Sequence, residues 1–129
     1  MGKVLYFEDL EIWQLSRALC NEIHQLVQHT DLKNDYKLYS QINSSSGSVM
    51  DNIAEGFERN GNKEFRQFLS ISKASCGETR SQLYRVFDRK YITEEEFVKL
   101  KEQTLELSKK IGAFINYLLK SDYKGSKYK

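Results

Sequence analysis

The chain has 129 residues, of which 40% are hydrophobic and 29% charged, and its formal net charge is +2. This length predicts one domain with a core of its own, and the hydrophobic content excludes a wholly disordered chain. The complete absence of proline favours long, uninterrupted elements over a turn-rich β fold. No apolar run approaches the ~20 residues that a membrane-spanning helix needs, so we expect no membrane segment.

The two cysteines and the N-terminus bear on the compartment. Cys20 and Cys76 are 56 residues apart and form no CxxC motif, which is too little for the disulfide framework of a small secreted domain. The N-terminus carries Glu8 and Asp9 where a signal peptide needs an apolar stretch. The sequence therefore predicts a cytoplasmic protein.

Apolar residues at helical spacing predict two helices in the first half of the chain. The first runs over about 9–29, with Asp9 as its cap, and the second over about 35–59, starting at Asn34 or Asp35. A serine-rich run at residues 43–48 resembles a linker in isolation. The apolar positions on its two sides stay in helical phase, however, so we predict that helix 2 continues through it and that its small residues allow a close helix contact.

The second half of the chain predicts two more helices and a tail. Asn60-Gly61 ends helix 2, and Asn62 is a candidate N-cap for a third helix over about 63–89. Thr93 and Glu96 have the spacing of a capping box for a fourth helix over about 93–119. Short connections make successive helices antiparallel. The fold class is therefore all-α, an up-down-up-down four-helix bundle over residues 1–120 with a disordered basic tail at 121–129.

The residue types of known catalytic and metal sites are poorly placed. A di-metal site in a helix bundle needs Glu-x-x-His pairs, and neither His24 nor His29 has a glutamate three residues before it. The two histidines are also about 140° apart around a helix. No histidine is placed to activate Cys20 or Cys76. We expect no enzymatic activity, no metal and no cofactor.

The basic residues are concentrated in one part of the chain. Residues 1–59 have a net charge of −4, whereas residues 60–91 have a net charge of +4. Arg66, Lys73 and Arg80 recur every seven residues and form a ladder with steps of about 10 Å on one flank of helix 3. We name these three residues the basic ladder. It is a candidate row of phosphate contacts, with Tyr84 available to stack on a base.

Two alternatives to this interpretation stay open. The ladder is also typical of a solvated bundle face, or of cations paired with acids on a neighbouring helix or subunit. In the tail, Lys124 and Lys127 alternate with Tyr123 and Tyr128, a pattern that suits single-stranded nucleic acid and equally a frayed terminus.

Several large apolar residues fall outside the best core positions, and a single bundle would leave some of them exposed. Because clusters of exposed apolar residues mark interfaces, we expect a homo-oligomer. These residues are Trp13, Val27, Met50, Ile71, Phe87 and Ile115.

Three ordered blocks of sequence resemble the bacterial 23S rRNA-intervening-sequence proteins, also called the four-helix bundle protein family. They are Phe7-x-Asp9-Leu10-x-Ile12-Trp13-Gln14; Gln41-Ile42 through Ser48-Val49-x-x-Asn52-Ile53-Ala54-Glu55-Gly56; and Phe65-x-x-Phe68-Leu69-x-Ile71-x-x-Ala74-Ser75-x-x-Glu78. The resemblance covers about Phe7 to Leu119. Asn52, Glu55, Gly56 and Glu78 belong to the family motif, and we interpret them as structural.

The resemblance implies a four-helix bundle, typically a homopentameric barrel, without established enzymatic activity. It also implies an association with RNA or the ribosome, and it extends to the accessory variability proteins of diversity-generating retroelements. We therefore predict a non-enzymatic, oligomeric bundle that binds RNA through the basic ladder. The alternative is a scaffold that binds a partner protein and has no nucleic-acid role.

Overall fold

The computed structural model describes residues 4–123, which form four long helices. They are α1 (Glu11–His29), α2 (Tyr36–Phe57), α3 (Asn62–Asp88) and α4 (Glu94–Tyr123), with short 3-10 turns at Phe7–Asp9 and Asp31–Asn34. Each helix packs against the next one in the chain, and α1 also packs against α4. The predicted all-α four-helix bundle is confirmed. No helix in the described part of the chain is long and apolar enough to cross a membrane.

One apolar core runs the length of the bundle. All four helices contribute fully buried side chains to it, and the turn before α2 adds another. Partly buried residues on the flanks, including Trp13, Phe87 and Ile115, pack against this core. The largest fully buried side chains are Phe65, Leu19, Ile23, Leu32, Leu38, Ile42, Ile53, Leu69, Leu83, Leu107, Ile111 and Leu118.

Two of the predicted helix starts are confirmed. The Asp35 carboxylate caps α2 by accepting a hydrogen bond from the backbone N–H of Leu38 at 3.5 Å. Before α4, the Thr93 hydroxyl accepts from the N–H of Glu96 at 3.1 Å, and the Glu96 carboxylate accepts from the N–H of Thr93 at 2.9 Å. This reciprocal pair is a complete capping box.

Two other predicted caps are wrong. Asp9 lies in the 3-10 turn before α1, where its carboxylate accepts from the N–H of Tyr6 at 3.1 Å, and α1 begins only at Glu11. Asn62 is the first residue of α3 rather than its cap. It is buried because its side chain turns inward to α4, where its amide donates to the carbonyl of Leu118 at 3.4 Å.

Helix ends and burial differ from the sequence interpretation in two further places. α4 continues to Tyr123, beyond the predicted end at 119, because residues 120–123 include neither glycine nor proline. Val27, predicted outside the core, is buried beside Leu26 at the end of α1. The chain turns there into the 3-10 segment that carries buried Leu32, which widens the buried face of α1.

The serine-rich run is helical, and it forms a polar contact between α2 and α3. The Ser45 hydroxyl is buried, donates to the side-chain oxygen of Gln82 at 2.6 Å and lies 2.9 Å from the hydroxyl of Thr79. Further along, Ser72 donates to the carbonyl of Val49 at 2.7 Å. The small hydroxyl side chains thus allow α2 and α3 to approach closely. They also form hydrogen bonds across the contact, as buried polar groups must.

Ser45→Ala is expected to lower the free energy of unfolding by about 1–2 kcal/mol, since the amide oxygen of buried Gln82 loses the hydrogen bond that Ser45 donates. Urea denaturation measures the change. Ser44→Ala, at the exposed neighbouring position, is the matched control and should stay within about 0.5 kcal/mol of the wild type. Equal stabilities of the two variants would contradict the role given to this hydroxyl.

A second polar cluster ties the start of α2 to the loop between α3 and α4. Oδ2 of Asp35 accepts from Nη1 of Arg89 at 2.7 Å and from the hydroxyl of Tyr91 at 2.8 Å. The bonds from Tyr91 and Arg89 lower the pKa of Asp35, and the bond to Asp35 raises the pKa of Tyr91. The cluster therefore makes stability depend on pH at both extremes.

The direction of this dependence follows from the two pKa shifts. Because folding lowers the pKa of Asp35, its contribution is present above about pH 4 and is lost as the pH falls through the folded-state value. Because folding raises the pKa of Tyr91, its contribution is present below about pH 10 and is lost as the pH rises through the folded-state value.

Asp35→Asn is therefore expected to lower the melting temperature at pH 7 and to differ less from the wild type as the pH falls toward 2. Circular dichroism melts across that range measure the difference. Asp88→Asn, an exposed carboxylate on α3, is the control and should follow the wild type. A deficit for Asp35→Asn that stays constant down to pH 2 would show that the carboxylate charge is not what stabilises the cluster.

Candidate functional site

The basic ladder lies along the seam between α3 and α4. The side chain of Lys73 crosses α4 at Gly112, where a Cβ on the glycine would lie 3.3 Å from Cε of the lysine. One turn beyond the ladder, Nζ of Lys101 on α4 lies 5.7 Å from the ring centroid of Tyr84. The opposite flank of α3, which carries Ser75 and Gln82, faces α2. The three cations thus line one outer edge of the bundle.

Two ladder cations are not neutralised within the described part of the chain. Lys73 is exposed and Arg80 half-buried, and neither forms an ion pair with a described residue. Nη1 of Arg80 is buried and has no hydrogen-bond partner there. Since a buried donor without a partner costs free energy, an anion that reached this nitrogen would gain a strong, charge-assisted hydrogen bond. Arg66, the third member, is half-buried.

Tyr84 is less available for stacking than the sequence indicates. Its ring packs edge-on against Phe97 with centroids 4.8 Å apart, and Lys101 lies over it. Phe97 in turn stacks on Phe87. The tyrosine therefore helps to join α3 to α4 and keeps 43% of its surface exposed at the end of the ladder.

A row of exposed apolar residues on α4, next to the ladder, was not predicted from the sequence. Val98, Leu105 and Leu119 are 42%, 44% and 51% exposed, and Gly112 occupies the remaining position of the same seven-residue spacing. We name these four residues the α4 stripe. A second heptad, one position after the core residues Phe97, Thr104, Ile111 and Leu118, is the signal that would have found it.

The family-motif residues on α2 make local polar contacts near its C-terminal end. Asn52 donates to the carbonyl and to the hydroxyl of Ser48, at 2.8 and 2.9 Å. Glu55 forms an ion pair with Arg59 at 3.1 Å, and the Arg59 guanidinium lies 4.9 Å from the ring centroid of Phe68.

Gly56 and Glu78 complete this group of motif residues. A Cβ on Gly56 would lie 2.7 Å from Cβ of Phe68 and 2.9 Å from Cδ1 of Phe65, so only glycine fits there. The carboxylate of Glu78 accepts from the amide of Gln82 at 3.3 Å. All four motif residues thus make contacts within the bundle.

The cysteines sit in environments that disfavour the thiolate. The Cys20 thiol donates to the carbonyl of Ser46 at 3.1 Å, and burial raises its pKa. Cys76 is buried against α4, donates to the carbonyl of Thr104 at 3.3 Å, and has a pKa raised by burial to about 11. Over residues 4–123 no group of three or more metal-binding side chains comes together.

Of the remaining predicted residues, two candidates for subunit contacts lie on the bundle surface and the tail lysines lie beyond the described residues. Ile71 is 50% exposed and Met50 is half-buried on α2. Lys124 and Lys127 lie outside the described residues, so their predicted contacts with nucleic acid stay a prediction.

Comparison with known proteins gives one family and one informative fold match. The family model described as 23S rRNA-intervening sequence protein matches residues 8–113. A crystal structure of a protein of unknown function from the S23 ribosomal protein family of Bacteroides thetaiotaomicron superposes with a TM-score of 0.73. The two sequences are 24% identical, and the superposition covers 81% of this chain and 97% of the other chain. No curated protein matches the chain.

Proposed function

The chain belongs to the 23S rRNA-intervening sequence protein family, and from this premise we propose that it is a non-enzymatic protein that binds RNA phosphates along the basic ladder. The observation that carries the proposal is that neither Lys73 nor Arg80 forms an ion pair with a described residue. Lys73 and Arg80 lie one heptad apart on α3, and neighbouring cations of this kind can follow a phosphate backbone.

The charge distribution of the bundle supports the same proposal. Residues 1–59, which form α1 and α2, have a net charge of −4, whereas residues 60–91, which form α3, have a net charge of +4. A polyanion is therefore attracted to the α3 side and repelled from the opposite side. The net charge of the whole chain, +2, does not show this difference between the two sides.

A titration of a fluorescently labelled, structured RNA tests the proposal at low and at physiological salt. We expect tight binding at low salt that weakens steeply as salt is added, because phosphate contacts release condensed counterions. No binding at low salt, or an affinity that salt leaves unchanged, would contradict RNA recognition by the ladder.

We further propose that the chain forms a homo-oligomer in the cytoplasm, a homopentameric barrel by its family resemblance, and that it associates with the ribosome. The resemblance to the accessory proteins of diversity-generating retroelements supports a barrel that engages nucleic acid. Exposed Ile71 and half-buried Met50 are apolar residues available for subunit contacts. Sedimentation equilibrium at micromolar concentration tests the assembly. A mass that stays at 15.2 kDa would contradict it.

The α4 stripe favours a second candidate function, that of a scaffold for a partner protein. Phosphate contacts need cations but have no use for exposed valine and leucine, whereas a row of exposed apolar side chains is typical of protein interfaces. The chemistry of such a partner can be inferred from the relation between the stripe and the ladder.

A further inference from the structure

The basic ladder and the α4 stripe lie on the two sides of the seam between α3 and α4 and run in register; we name this seam the groove and its two sides the walls. Lys73 lies against Gly112. Because α3 and α4 are antiparallel, counting seven residues along each helix places Arg80 level with Leu105. The same count in the other direction places Arg66 level with Leu119. The same count places Tyr84 level with Lys101, and these two side chains are in contact.

The groove therefore presents a cation on one wall and a stripe position on the other at each step of about 10.5 Å, the rise of seven helical residues. A ligand that uses both walls must repeat an anionic group with that period and place apolar groups at multiples of it, because Gly112 offers no side chain at the middle step. Successive phosphates along one strand of a duplex rise only about 3.4 Å. An α-helix with one acidic and one apolar residue in each heptad has a matching period.

We infer that this groove binds an acidic amphipathic helix of a partner protein, with its apolar residues on the α4 stripe and its Asp or Glu residues on the basic ladder. This inference rests on the second candidate function, and it names the partner's chemistry. The mode is that of a helix in a groove, read through anchors at helical spacing.

The charges of the bundle itself favour a different chain over a second copy. The outward face of α2 is one segment of the chain that matches such a helix in part. Its exposed heptad row, Lys37, Ser44, Asp51 and Glu58, contains a lysine and a serine at two of its four positions. This row would therefore offer an acidic residue at only half of its positions, and it would place one cation against the cations of the ladder.

The same geometry makes the helix and RNA mutually exclusive. Lys73 and Arg80 are the uncompensated cations of the groove, and a bound acidic helix neutralises both. A partner of this chemistry therefore displaces RNA from the ladder, which makes it a competitive regulator of the proposed RNA binding.

The probe for this inference is a fluorescein-labelled, 24-residue synthetic helix with leucine and glutamate at adjacent positions of every heptad. A control peptide has the same composition with the leucine and glutamate positions shuffled. By fluorescence anisotropy we expect the heptad peptide to bind the full chain about tenfold more tightly than the shuffled peptide.

Substitutions on α4 identify the wall that the peptide contacts. Leu105→Ser is expected to weaken the heptad peptide about tenfold. Tyr117→Ser, which removes a residue of similar exposure about 120° around α4 from Leu105, is the control and is expected to leave the affinity unchanged. Unlabelled heptad peptide is expected to displace labelled RNA from the wild type.

Three results would overturn the inference. They are equal binding of the two peptides, an affinity unaffected by Leu105→Ser, and a fall in sedimentation mass caused by Leu105→Ser. The last result would show that a second copy covers the stripe. Direct RNA titration of the wild type separates the two hypotheses: RNA binding by a chain that does not bind the heptad peptide refutes only the helix. Peptide binding without RNA binding refutes only the proposed RNA function.

Discussion

Gly56→Ala is expected to destabilise the bundle by about 2–3 kcal/mol, because the added methyl group has no room. Its Cβ would lie 2.7 Å from Cβ of Phe68 and 2.9 Å from Cδ1 of Phe65. Phe65 is fully buried and packs edge-on against Phe57 and Phe114, so its ring cannot move aside without disturbing the core. Urea denaturation monitored by circular dichroism measures the loss.

Gly47→Ala is the matched control on the same helix. A Cβ at this position meets nothing within 4 Å, so only the intrinsic preference for alanine in a helix remains. We expect Gly47→Ala to raise the free energy of unfolding by about 0.5–1 kcal/mol. A Gly56→Ala variant as stable as Gly47→Ala would contradict the close approach of α2 and α3 at this corner.

Replacing Arg66, Lys73 and Arg80 together with glutamine is expected to weaken RNA binding about 100-fold at ~0.1 M salt, because three phosphate contacts and their counterion release are lost. The loss should be similar for different RNA sequences, since contacts to phosphates carry no sequence information. Fluorescence anisotropy with two unrelated RNAs of equal length measures both properties.

The control for this triple variant removes the same charge from another part of the surface. Arg17, Lys33 and Lys37 are exposed on α1, on the following turn and on α2. Their replacement with glutamine is expected to reduce affinity only slightly, through the change in net charge. Equal losses in the two triple variants would mean that RNA responds to overall charge and not to the ladder. Circular dichroism melts ensure that both variants are folded.

Periodicity alone was sufficient to predict the architecture of this protein. The apolar spacing on α2 continues through residues 43–48, and the helix forms there although serine and glycine favour a loop. The capping box of Thr93 and Glu96 is local in sequence, and it forms as its spacing indicates. The capping box is encoded within a few residues, whereas α2 stays helical through its serines because its apolar face packs on the rest of the bundle.

Features that depend on packing between helices could not be derived in this way. Asp9 and Asn62 have side chains suited to capping, yet the chain enters α1 through a 3-10 turn and Asn62 turns toward α4. The ladder was evident as a row of cations. Its position opposite the α4 stripe depends on the register of α3 against α4, which the contact between Lys73 and Gly112 defines.

The most direct test of RNA binding by the ladder is the salt dependence of affinity for the wild type and for the variant lacking Arg66, Lys73 and Arg80. Each phosphate contact contributes about 0.7–0.9 to the slope of log K against log salt. Loss of three contacts should therefore make the slope of the variant shallower than that of the wild type by about 2–3. Identical slopes would contradict phosphate binding by the ladder, whatever the absolute affinities.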